Sequence, residues 1–100
     1  MNEHLARLLR HPYVGELREL ANVYEIGVGE VQVTVRVYRY PYTETYVAVP
    51  DHGVQRAGEA LPYRRMEHLH TPEEAVADAL GALLEHYNPD EGHGCLSPIE

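Results

Sequence analysis

The stretch that decides the fold runs Val31-Gln32-Val33-Thr34-Val35-Arg36-Val37-Tyr38-Arg39-Tyr40, then Pro41-Tyr42-Thr43-Glu44, then Thr45-Tyr46-Val47-Ala48-Val49. Side chains along a strand point alternately to opposite faces, so the first run has a valine face and a polar–aromatic face. A turn at Pro41-Tyr42-Thr43 and a second run with Thr45, Val47 and Val49 as its aliphatic set predict a β-hairpin. Two registers compete. A two- or four-residue loop pairs Val37 with Ala48 and sets Val47 and Val49 beside Tyr38 and Arg36. A three-residue loop pairs Val37 with Val47 and Val35 with Val49, gathering every valine on one face. Burial of a common face fixes register, so the valine-matched pairing is expected. Such loops usually use a left-handed glycine, which this turn lacks. In that register the outward face carries Gln32, Thr34, Arg36, Tyr38, Tyr40, Tyr46 and Ala48.

The rest of the chain supplies the cover. Thr71, Pro72 and Glu74 form an N-cap, a first-turn proline and a capping-box glutamate, predicting a helix over about 71–87. Val76, Ala79, Leu80, Leu83, Leu84 and Tyr87 form its apolar stripe, with Glu73, Asp78 and Glu85 towards solvent. Gly81 is expected to mark close approach to the sheet. Upstream, Asn2 reads as the N-cap of a short helix with Leu5, Leu8 and Leu9, ended by Pro12. Residues 15–21 fit a second helical piece through Leu17, Leu20, Ala21 and Tyr24, and residues 23–28 read as a short strand interrupted by glycine. Pro50-Asp51-His52-Gly53 reads as a turn, 54–60 as loop and 61–69 as an irregular edge strand. Asp90–Glu100 has little to bury and reads as a flexible tail.

The expected fold is therefore α+β, a two-layer sandwich. A three- or four-stranded antiparallel sheet carries the C-terminal helix on one face, beside a short N-terminal helix. Residues 1–88 are expected to form one domain, with 89–100 as its tail.

Composition narrows the function. The chain has 100 residues and a formal charge of −8, with sixteen acidic side chains against eight basic ones, all arginine. An acidic field repels phosphate, which makes nucleic acid an unlikely partner and a basic protein a better one. No apolar run reaches the length of a membrane span. The first residues lack the pattern of a secretory signal, and a lone Cys95 excludes an internal disulfide framework, so a cytoplasmic location is expected.

The segment Tyr46-Val47-Ala48-Val49-Pro50-Asp51, with Gly58 and then Thr71-Pro72-Glu73-Glu74-Ala75, resembles the HicB-like family. That resemblance implies a β-β-β-α core and an antitoxin that blocks HicA, a small basic ribonuclease toxin; the −8 charge complements such a partner. The chain departs from the family where His52-Gly53 replaces the usual Leu-Pro-Gly, and Asp51 to Thr71 is longer. Only Asn88–Glu100 follows the helix, which leaves no room for the DNA-binding module of many full antitoxins.

Candidate chemistry is sparse. His68 and His70, with His93 and Cys95, offer a weak set of metal ligands, but without the paired-cysteine spacing of zinc motifs. His52 beside Asp51 and His86 beside Glu85 are neighbours in sequence, which is poor ground for an acid–base pair. No catalytic motif, phosphate loop or nucleophile elbow is present. The expectation is a non-enzymatic module without cofactor. Its partner-binding residues would be Arg36, Tyr38, Tyr40 and Tyr46, with Arg64 nearby, since arginine and tyrosine anchor interfaces. It would bind a protein partner or self-associate as a homo-oligomer. A nucleic-acid-associated factor using the same Arg/Tyr face, and a zinc-stabilised domain, are the alternatives.

Overall fold

The computed structural model describes residues 3–91 and 94–99. In chain order it has α1 (Glu3–Leu9), β1 (Glu19–Val28), β2 (Val31–Tyr40), β3 (Thr45–Pro50), β4 (His52–Val54), α2 (Pro72–His86), a single 3-10 turn (Pro89–Glu91) and β5 (Leu96–Pro98). The fold is α+β. One antiparallel sheet has the order β1-β2-β3, and β4 pairs with β5 in a second, two-stranded sheet.

The hairpin forms, but in the other register. Val37 pairs with Ala48, Tyr38 with Val47 and Arg36 with Val49. Val47 and Val37 thus face opposite ways, which corrects the valine-matched expectation. The loop has four residues, Pro41–Glu44, and its last member takes the left-handed conformation that glycine would normally supply: Glu44 has φ 54°. Its amide closes the turn on the Tyr40 carbonyl at 2.9 Å. Turn geometry has overridden the pull of a common valine face.

The helix-covered face takes Val33, Val35 and Val37 from β2, Val28 from β1 and Ala48 from β3, all buried, with Tyr24, Ile26 and Tyr46 packed at its margin. Above them α2 starts where its cap predicts, the Thr71 hydroxyl accepting the Glu74 N–H at 3.1 Å. The expected stripe holds at Ala79 and Leu83, which are buried, and at Val76, Leu80 and Tyr87, which pack against the core; Ala75 and Ala82 are buried as well, and Leu84 departs, half exposed. Three of the four buried positions are alanine, and Leu83 supplies the largest fully buried side chain of the core. Gly81 does not mark a close approach to the sheet. It is exposed, and a Cβ there would meet nothing within 4 Å.

Several other expectations shift. Residues 19–28 form one strand with a bulge between Leu20 and Asn22, in place of a second helical piece and a short strand. Residues 61–69 make only two isolated bridges, Tyr63 to Val54 and Leu69 to Tyr46. The expected turn at 50–53 is a bend at Asp51 that runs directly into β4, and of the expected loop 54–60 only Val54 belongs to a strand. The expected tail folds back: β5 pairs with β4, Gly94 is buried, and the Ile99 amide donates to the Asp51 carbonyl at 2.7 Å. Gly53 sits at the crossing, where a Cβ would lie 2.8 Å from both Pro62 and Ile99. The N-cap expected at Asn2 lies outside the described residues, and no residue of α1 is buried.

Candidate functional site: the open sheet face

The hairpin register determines what the uncovered face of the sheet contains. Directly paired residues share a face. One row therefore runs Leu20, Tyr38, Val47, and the next runs Val23, Arg36, Val49. Beyond them lie Glu25 and Thr34 at one end, and Tyr40 with Thr45 at the other. Leu20 and Val23 are 54% and 52% exposed, while Val47 opposite Tyr38 is nearly buried, outside the helix-covered core. The result is an apolar band across three strands, with Tyr38 and Tyr40 half buried within it and charge at its edges.

Three side chains order the margin. The Arg18 guanidinium lies over the Tyr38 ring at 3.7 Å, a cation–π contact. Tyr40 meets His68 edge-on with ring centres 4.8 Å apart, and His68 Nδ1 shares a 2.7 Å hydrogen bond with the Thr45 hydroxyl. Arg39 pairs with Glu19 at 3.4 Å where β1 begins.

Of the residues expected to bind a partner, Arg36, Tyr38 and Tyr40 lie together on this face. Tyr46 does not, because it pairs with Arg39 and packs at the margin of the helix-covered core. Arg64 donates to the Pro50 carbonyl at 2.6 Å, so its guanidinium is committed to the end of β3. The valine-matched register put Tyr46 on the wrong side. The same mistake hid the aliphatic members, Val47 and Val49, which the four-residue-loop alternative sets beside Tyr38 and Arg36. Leu20 was hidden differently, by reading 15–21 as helix.

The remaining candidates do not converge on chemistry. Among the described residues no group of three or more His, Cys, Asp or Glu side chains is placed to hold a metal ion, and His93 lies outside them. His70 is exposed, and Cys95 is exposed beside an apolar cleft of about 370 Å³ that Gly29, Tyr87 and Leu96 help line. His86 stacks edge-on against Tyr63 with ring centres 5.1 Å apart. Asp51 and His52 are in contact despite their adjacency: His52 Nδ1 donates to Asp51 Oδ1 at 2.6 Å, and the Thr34 amide donates to the same oxygen at 2.9 Å. Partial burial pushes the Asp51 carboxyl up, but the His52 and Thr34 hydrogen bonds outweigh it and hold the group below its ordinary value.

Among the described residues no helix is long and apolar enough to cross a membrane. Compared with known proteins, the chain matches no family model, no curated protein and no solved structure.

Proposed function

We propose that this is a small, non-enzymatic protein-binding module whose contact surface is the open sheet face. The observation that carries the reading is the apolar band outside the helix-covered core, where Leu20 and Val23 are exposed, Tyr38 and Val49 half buried and Val47 buried among them, with Arg36 exposed at its centre. Contiguous exposed apolar surface rimmed by charge is the signature of an interaction site. Tyrosine and arginine at its middle supply large contact area with polar tips. The charge of −8 favours a basic partner, and the HicB-like resemblance narrows that partner to a small basic ribonuclease toxin. A homo-oligomer would use the same band, in a cytoplasmic setting.

The test is co-purification from the source cell, comparing the native chain with the double variant Arg36→Glu, Tyr38→Ala. A basic protein held by the native chain and lost from the variant supports the reading. Equal retention by both would place the contact elsewhere on the molecule. Inhibition of that protein's ribonuclease activity by the native chain would support the antitoxin part.

A further inference from the structure

Among the described residues β1 presents the longest unpaired strand edge in the molecule. It is ten residues long, stands at the end of the β1-β2-β3 order and pairs with β2 alone. The other edges are met or short. β3 is bridged by Leu69 through Tyr46, and β4 lies between β5 and Tyr63. β5 is three residues long and ends in Pro98.

The backbone groups on the β1 edge can be named. Thr34 commits both its amide and its carbonyl to Asp51, on the β3 side. Its partner on β1, Glu25, therefore sits in a pair without backbone hydrogen bonds and turns its own N–H and C=O outward. Such pairs alternate along an antiparallel ladder, so Val23 and Gly27 turn theirs outward too. Open edges are normally guarded by short length, by lysine or proline, by an inward-pointing charge or by a bulge. Over Asn22–Val28 there is no proline and no basic residue, and the only charge, Glu25, accepts from Gln32 of β2 at 3.0 Å. The bulge between Leu20 and Asn22 guards only the start of the strand.

We infer that β1 pairs antiparallel with β1 of a second copy across a twofold axis, giving a continuous six-stranded sheet. Unmet backbone donors and acceptors define the occupant as another extended strand. Self-complementarity selects a second copy. A twofold at Tyr24 sets Tyr24 opposite Tyr24, Asn22 opposite Ile26 and Val23 opposite Glu25, so the outward backbone groups of residues 23 and 25 meet those of the other copy. The next register, centred on Glu25, would oppose like charges, which destabilises a cross-strand pair. The axis stands perpendicular to the sheet, so both α2 helices lie on the same side. α2 packs chiefly over β3, and Tyr24 and Ile26 are half buried at the margin of the core. In the pair each Tyr24 covers the other. On the opposite side the two open faces join along Val23 into one surface. This goes beyond the reading of the open face as a contact surface and stands without it.

The experiment is analytical ultracentrifugation of full-length proteins. The net charge of −8 opposes association, and salt at about 0.15 M screens it, so the runs are made at that ionic strength. Three chains are compared: the native one, Glu25→Pro, and the open-face variant Arg36→Glu, Tyr38→Ala. Proline removes an outward N–H that the single chain does not use, and an edge strand tolerates it; circular dichroism checks the fold. The expected result is twice the chain mass for the native and open-face proteins and a single-chain mass for Glu25→Pro. A second reading uses Tyr24→Cys in a Cys95→Ser chain. Residues opposed in a pair without backbone bonds have Cα atoms about 4.5 Å apart, within disulfide range, so mild oxidation should link two chains there far faster than at Leu61→Cys, a control position 77% exposed. A native chain that stays monomeric at all concentrations would overturn the pairing, and so would a dimer that persists in folded Glu25→Pro. Should Glu25→Pro unfold, the disulfide comparison decides alone: equal rates at 24 and 61 overturn the proposal. A dimer lost in the open-face variant but kept in Glu25→Pro would also overturn it, and would move self-association onto the face.

Discussion

Asp51 joins three parts of the molecule through single atoms. Its carboxylate accepts from the Thr34 amide of β2 and from His52 of β4, its own amide donates back to the Thr34 carbonyl, and its carbonyl receives the Ile99 amide after β5. Asp51→Ala removes the acceptor for the Thr34 N–H and should cost about 1–3 kcal/mol, the range for leaving such a group unmet. Urea denaturation would measure it. The carboxyl is held below its ordinary value of 3.8 in the folded state. A group depressed in this way stabilises the fold above its unfolded pKa and loses that contribution as pH falls through the folded one. Native stability should therefore drop as pH goes below about 4, and the drop should be shallower in Asp51→Asn. An unchanged slope would remove Asp51 from the acid response. None of this was visible in the sequence, where adjacency of Asp51 and His52 argued against contact and Pro50-Asp51-His52-Gly53 read only as a turn.

At the scale of the element, local chemistry was legible and choices between near-equal alternatives were not. The start of α2 could be read because Thr71, Pro72 and Glu74 act within one turn of each other. Which positions bury fully could not, because alanine and leucine both fit a helical stripe, and only the sheet decides which sits closest. Gly81 lies off the packed side of the helix. It occupies an exposed mid-helix position with open space around it, so Gly81→Ala should stabilise the protein by about 0.5–1 kcal/mol. A higher urea midpoint with unchanged slope would confirm it, and a loss of stability would mean that the glycine meets a neighbour after all. The hairpin shows the same division. Alternation identified both strands, but the register turned on whether Glu44 would adopt a left-handed backbone, a cost of a kind that the valine pattern does not display. One residue of slip moved Tyr46 off the candidate face and brought Val47 and Val49 onto it.

At the scale of the whole molecule, the fold class was legible and the closing contacts were not. A hydrophobic strand pair and an amphipathic helix imply two layers, whereas pairing of 52–54 with 96–98 joins segments whose composition advertises neither as a strand. The N-terminal segment gives this scale its prediction. Lacking lysine, the chain can be cut by trypsin only after its eight arginines. Arg7 and Arg10 lie exposed at the end of α1 and in the turn after it, whereas Arg64 and Arg65 are bonded to Pro50 and Asp78. Trypsin should therefore cut after Arg7 and Arg10 before it cuts after Arg64 and Arg65. Mass spectrometry of timed digests reads the order, and earlier cleavage after Arg64 or Arg65 would overturn it.

The pairing of β4 with β5 also bears on the order in which the protein is made. The β2–β3 hairpin joins residues close in sequence and can form as soon as both strands leave the ribosome. β4, emerging directly behind it, has no strand partner until residues 96–98 have been synthesised, long after α2. Until then the His52–Val54 edge that β5 covers in the folded protein is open. Closure of β4 by the Leu96–Pro98 segment is thus a contact that waits on chain made well after the hairpin and α2.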